Sequence, residues 1–128
     1  MTTQRKTTGA RGEAIATGYL RDAGYTILGA NWRCRLGEID IIAQDGPVLV
    51  FVEVRTRSSA RLGSPEESVT STKRQRLANL AQTYLLFLEN AGRPWDGPWR
   101  IDVIALEVNR HSGAATKLNH LVNAIEGA

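Results

Sequence analysis

The chain has 128 residues, 42% of them hydrophobic and 23% charged, with a formal net charge of +3. That length suits one domain with a real core, and the composition is ordinary for a globular protein. One cysteine, Cys34, excludes an internal disulfide and a cysteine-pair metal site, and no apolar run approaches membrane-spanning length.

Met1–Thr8 is polar and basic without an apolar signal core, so residues 1–8 read as a flexible tail of a cytoplasmic protein with no membrane partner. A single domain is then expected over 9–128. Gly9 to Ala23 reads as an amphipathic helix with Ala10, Ala14, Ile15, Tyr19 and Leu20 near helical spacing. Thr8 is its expected N-cap and Gly24 its stop. Tyr25 to Asn31 resembles a strand. Two further strand-like runs follow, Gly37–Ala43 and Leu49–Arg57, each with carboxylates set into an apolar pattern. Ser58 to Pro65 reads as a loop, and Ser71 or Thr72 as the cap of a helix reaching about Asn90. Its apolar face holds Leu77, Leu80, Ala81, Tyr84, Leu85 and Leu88. Arg100 to Val108 reads as a strand, and Leu118 to Ile125 as a short strand or helix. This order predicts an α/β domain with a small mixed sheet flanked by helices.

The two central strands form a hairpin, since Asp45-Gly46 is a favoured tight turn. With those two residues as the loop, Ala43 faces Val48, Asp40 faces Phe51 and Glu38 faces Glu53. Alternation then puts Glu38, Asp40, Glu53 and Arg55 on one face, and Val48, Val50, Val52 and Val54 with Ile39 and Ile41 on the other. A charge in such a run is costly unless it is paired, binds a metal or does chemistry. Asp40 and Glu53 could hold Mg²⁺ or Mn²⁺, hard cations that prefer oxygen donors, and Glu13 could join them if the first helix crosses this face. The structural alternative is an ion pair between these acids and Arg55.

Arginine dominates the cations, and the only lysines are Lys6, Lys73 and Lys117. Arg55, Arg57 and Arg61 follow the second hairpin strand, and Lys73, Arg74 and Arg76 open the next helix. Such clusters suit nucleic-acid phosphates, although a solvated surface would look the same. His111 and His120 make no metal site. His120 reads as a satisfied structural residue, Asp102 as a partner of Arg100 or a helix end, and Trp32, Trp95 and Trp99 as packing or turn residues.

Gly37-Glu38-Ile39-Asp40-Ile41-Ile42-Ala43 followed by Val50-Phe51-Val52-Glu53-Val54-Arg55-Thr56-Arg57 closely resembles the YraN-like family of small bacterial proteins. The likeness includes Gly12-Glu13, Gly24-Tyr25, Lys73-Arg74 with Leu77, Arg100–Ile104 and His120–Ala124. That family looks like a branch of the restriction-endonuclease-like superfamily related to archaeal Holliday-junction resolvases. The resemblance implies a restriction-endonuclease-like mixed central sheet flanked by helices, with Glu13, Asp40 and Glu53 as Mg²⁺ or Mn²⁺ ligands. It implies a nuclease acting on DNA, branched or structured DNA included, with Arg55, Arg57, Arg61, Lys73 and Arg74 on the nucleic acid. Apolar segments could support a homodimer, as in resolvases. The chain departs from the nuclease pattern at Arg55, where lysine is called for. Arginine stays protonated and cannot serve as a base, but it can hold phosphate, and Lys73 could supply an amine from another direction. A nucleic-acid-binding protein with weak or no catalysis is therefore the alternative, and a protein-interaction adaptor a third.

Overall fold

The computed structural model describes residues 3–58 and 71–125. In chain order these form α1 (Thr3–Asp22), β1 (Thr26–Cys34), β2 (Gly37–Asp45), β3 (Val48–Arg57), α2 (Ser71–Asn90), β4 (Trp99–Val108) and β5 (Ala115–Leu121). The five strands make one sheet in sequence order, antiparallel except for the parallel pair β3–β4, whose crossover carries α2. This is the mixed α/β architecture expected, and it is consistent with a restriction-endonuclease-like fold.

α1 begins at Thr3, so residues expected as a tail are helical and Thr8 is not its cap. The run Gln4-Arg5-Lys6 explains the extension, because all three are good helix formers. Its buried stripe is Gly12, Ala16 and Leu20 at i, i+4, i+8, while Ala10 and Ala14 are exposed. Alanine favours a helix without needing burial, which is why those two misled the periodicity. Both helices end on a left-handed glycine, α1 at Gly24 as expected and α2 at Gly92. At each end a residue bonds back five positions, Tyr25 N–H to Leu20 O and Arg93 N–H to Leu88 O, closing the last turn.

Each face of the sheet carries its own core. α1 covers Ile41, Ala43, Val50, Val52, Ile104 and Leu106 with Ala16 and Leu20. α2 covers Ile39, Ile42, Leu49, Phe51 and Ile101 with Leu77, Leu80 and Ala81. A fully buried leucine such as Leu20 or Leu80 contributes about 1.5–3 kcal/mol. Trp32 and Trp99 pack edge-on against Tyr84 and Phe51, so they are core residues.

The hairpin register differs from the expected one by two residues. Asp45 pairs with Val48 and Ile41 with Val52, leaving Gly46-Pro47 as the loop. Gly46 has φ +58, suited to the first central position of a hairpin turn, and Pro47 has no N–H to give a ladder. An even shift preserves the faces of β3, and the four valines still point toward α1. It removes the opposition of Glu38 to Glu53 and of Asp40 to Phe51. Ile39 also departs from expectation, packing with Ile42 on the α2 side although the two are an odd number apart. Alternation breaks there because the ladder does not continue past Ile41–Val52. The Asp40 carboxylate, not a main-chain carbonyl, accepts the Val54 N–H at 2.8 Å.

Candidate metal and phosphate site

Where β2 parts from β3, four carboxylates gather. Glu13, Glu38 and Asp40 can each bring one oxygen within 4.8 Å of the others. Glu13 gets there because α1 lies close on β3 at Gly12, where a Cβ would strike the Thr56 side chain. Any larger residue would lift the first turn of this contact and Glu13 with it.

Glu38, expected only to share the face, is held from two sides. Asn31 donates one side-chain N–H to Glu38 Oε1 at 2.8 Å and the other to Glu13 Oε1 at 2.9 Å. Arg33 Nε donates to Glu38 Oε2 at 2.7 Å. Asn31 has φ +54, a left-handed conformation uncommon for a residue other than glycine. Nothing in its spacing singles Asn31 out. The one available signal is that asparagine tolerates this conformation inside an otherwise strand-like run.

Glu53 is 7% exposed and adjoins Asp40, but the three-oxygen cluster does not include it. Its Oε2 meets Arg55 Nη2 at 3.1 Å and Arg76 Nη2 at 3.8 Å. The expected Glu53–Arg55 pair is thus present. Arg76, reaching Glu53 from α2, belongs to a cluster already noted in the sequence but was not singled out for the site.

Asp40 carries the electrostatic signature of this crowding. Burial, then the neighbouring Glu53 charge, pushes its pKa up from 3.8 to about 8, with Glu13 adding to the rise. The Val54 N–H bond opposes the shift without overcoming it. Carboxylates packed this way hold a proton or take up a cation. The donors are all carboxylate oxygens, the type that suits Mg²⁺ or Mn²⁺, so the residues fit such an ion.

Among the expected nucleic-acid residues, Arg57 closes β3, and Lys73 and Arg74 lie in the first turn of α2. Arg61 lies outside the described residues, as does most of the expected Ser58–Pro65 loop. Asp102 and His120 belong to a separate network. Asp102 is fully buried and accepts from Arg100, His120 Nε2 and the Asn123 N–H. With Nε2–H donating to Asp102, His120 Nδ1 is free to accept the Tyr19 hydroxyl proton at 3.0 Å. Arg100 also reaches Tyr25 and Asp45. His120 is therefore the satisfied structural residue expected.

The sequence has many relatives. A UPF0102 protein of Herpetosiphon aurantiacus is 49% identical over 110 residues, covering 86% of this chain and 89% of its own. One from Moorella thermoacetica is 47% identical over 128 residues, 100% and 99% of the two chains. One from Nocardia farcinica is 50% identical over 101 residues, 77% and 74%. The model of the uncharacterised protein family UPF0102 matches residues 12–106, a span that holds Glu13, Glu38, Asp40, Glu53, Arg55 and Arg76. The chain belongs to the uncharacterised protein family UPF0102.

Proposed function

We propose that the chain is a divalent-cation-dependent nuclease that acts on DNA, with branched or otherwise structured DNA as its preferred substrate. The observation that carries this reading is the convergence of Glu13, Glu38 and Asp40 beside Glu53 and two guanidiniums. Acids crowded enough to raise Asp40 to about pH 8 suit a cation, and adjacent arginines suit a phosphate. Glu13, Asp40 and Glu53 are the residues the family likeness assigns to Mg²⁺ or Mn²⁺, and Glu38 stands with them. Such an ion would neutralise the acids, polarise a phosphoryl oxygen and lower the pKa of a coordinated water. Asp40 would release its proton as the site fills. Arg55 would hold and orient the scissile phosphate, aided on the rest of the DNA by Arg57, Arg61, Lys73 and Arg74.

A second reading has its own support. With arginine at position 55, that side chain supplies no base, so a DNA-binding protein of this fold without efficient catalysis fits the same contacts. One experiment separates the two. Purified protein is incubated with junction, flap and single-stranded DNA in Mn²⁺ or Mg²⁺, beside Asp40→Ala, Glu53→Ala and Arg55→Lys. The nuclease reading expects cleavage that both alanine variants lose. Cleavage unchanged in those variants, or none by wild type on any substrate, overturns it. Cleavage gained in Arg55→Lys marks a nuclease site weakened by arginine, and DNA binding with no cleavage by wild type or Arg55→Lys identifies the binding reading.

A further inference from the structure

The cation set leaves one part of the acid-rich region unexplained, namely Glu53 and the guanidiniums around it. Arg55 Nε and Nη2 are buried and have no hydrogen-bond partner among the described residues. Nη2 does approach Glu53 Oε2 at 3.1 Å, but as an ion pair without hydrogen-bond geometry. Buried donors without a well-placed acceptor are costly, so Arg55 Nε, which has none among the described residues, and the poorly aligned Nη2 leave a place for a further acceptor.

Arg76 approaches the same Glu53 oxygen from the other side at 3.8 Å, with 40% of its side chain exposed. Its exposed part forms a wall of a cavity of about 500 Å³ completed by Leu36, Ser71, Thr72, Gln75 and Asn79. Arg76 therefore joins the acid site to an open space. Gly37, at φ +137, leaves room for the Arg76 guanidinium, since a Cβ there would come within 3.2 Å of Nη1. The cavity lies within the roughly 300–1,000 Å³ range of small-ligand sites. Its wall offers hydroxyl and amide groups, a cation and one apolar surface, a set that suits a sugar-phosphate with its base.

We infer that Arg55 and Arg76 form a two-guanidinium clamp on a backbone phosphate of a DNA strand, and that the cavity beside Arg76 seats the adjoining nucleotide. Without DNA, Glu53 holds both cations in place. A phosphodiester presents two non-bridging oxygens; it can draw the half-exposed Arg76 from Glu53 directly, and it reaches the buried Arg55 donors as that side chain turns out from Glu53. This inference rests on the nucleic-acid part of the proposed function but not on cleavage. It assigns Arg76, one of the basic cluster opening α2, to the same phosphate as Arg55 and adds the cavity beside it.

The test is fluorescence anisotropy of a labelled single-stranded oligonucleotide over a salt series in EDTA, which removes any contribution from divalent cations. Arg76→Ala should weaken binding about tenfold and lower the slope of log affinity against log salt by about 0.7, the value for one lost phosphate contact on a single strand. Arg76→Lys should keep that slope, and Asn79→Trp should weaken binding by filling the cavity without changing it. Thermal melting of each variant separates these effects from misfolding, which would not leave the slope intact in one variant and lower it in another. Wild-type affinity and slope in Arg76→Ala overturn the clamp. Wild-type affinity in Asn79→Trp overturns the nucleotide seat. No DNA binding by wild type removes the clamp together with the nucleic-acid reading, whereas binding without cleavage in Mn²⁺ removes only the nuclease.

Discussion

Asp102 and Asp40 are both aspartates set into apolar strands, and their surroundings treat them in opposite ways. Asp102, with no exposed surface, is met by a guanidinium, an imidazole and a main-chain N–H. Asp40 has one main-chain N–H, and its other neighbours include Glu53 and Glu13. The first arrangement spends buried polarity on holding β4, β5, α1 and the segment around Asn123 together. The second crowds carboxylates where two strands separate, so that Asp40 holds its proton well above the usual range. Burial alone therefore does not mark a working carboxylate; the sign of what surrounds it does.

The comparison breaks if the two aspartates respond alike to substitution. Asp102→Ala should have the largest effect, a loss of about 3–5 kcal/mol in urea denaturation, because Arg100 and His120 lose the buried acceptor they share. Asp40→Asn should act with the opposite sign. Folded Asp40 keeps its proton up to about pH 8, whereas the unfolded group loses it near its ordinary value of 3.8. Folding therefore takes up a proton between those values, and wild-type stability should fall as pH rises through that window. Asparagine retains an oxygen for the Val54 N–H and removes the charge. The variant should be about 1–2 kcal/mol more stable than wild type at pH 8, with the gap closing toward pH 4. A gap that is constant with pH would place the effect elsewhere. Asn31→Gly should change stability least, within about 0.5 kcal/mol, since glycine adopts the left-handed φ freely. Its effect should appear as a roughly tenfold loss of Mn²⁺ affinity, measured by electron paramagnetic resonance, through the freed Glu13 and Glu38. Affinity equal to wild type would show that the amide does not position them.

The acids of the hairpin were legible because strands alternate strictly and turn residues are few. Turn propensity does not separate Asp45-Gly46 from Gly46-Pro47 as the loop, since both dipeptides suit a turn, and moving the loop by one residue shifts the pairing by two. The face of Ile39 was not legible at all, because a side chain replaces a main-chain acceptor at Asp40 and turns the strand there. Glu13 was legible only on the condition that the first helix crosses this face, a condition met through a tight helix–sheet contact at Gly12. Glu38 was visible as a member of the face but not as a neighbour of Glu13, since Asn31 joins them across elements far apart in sequence. Arg76 was hidden for the same reason. Helix spacing shows which residues share a face of α2, not which strand lies under it.

Asn31 has one more consequence, unrelated to the acids it holds. Among the described residues β1 lies at an edge of the sheet, with N–H and C=O groups that another chain could pair with. Its pairing with β2 shifts register between Ile27 and Gly29, and two residues later Asn31 turns left-handed. An incoming strand would find no long, regular row of donors and acceptors to match. The irregularity that gathers the carboxylates also interrupts this border as a template for aggregation.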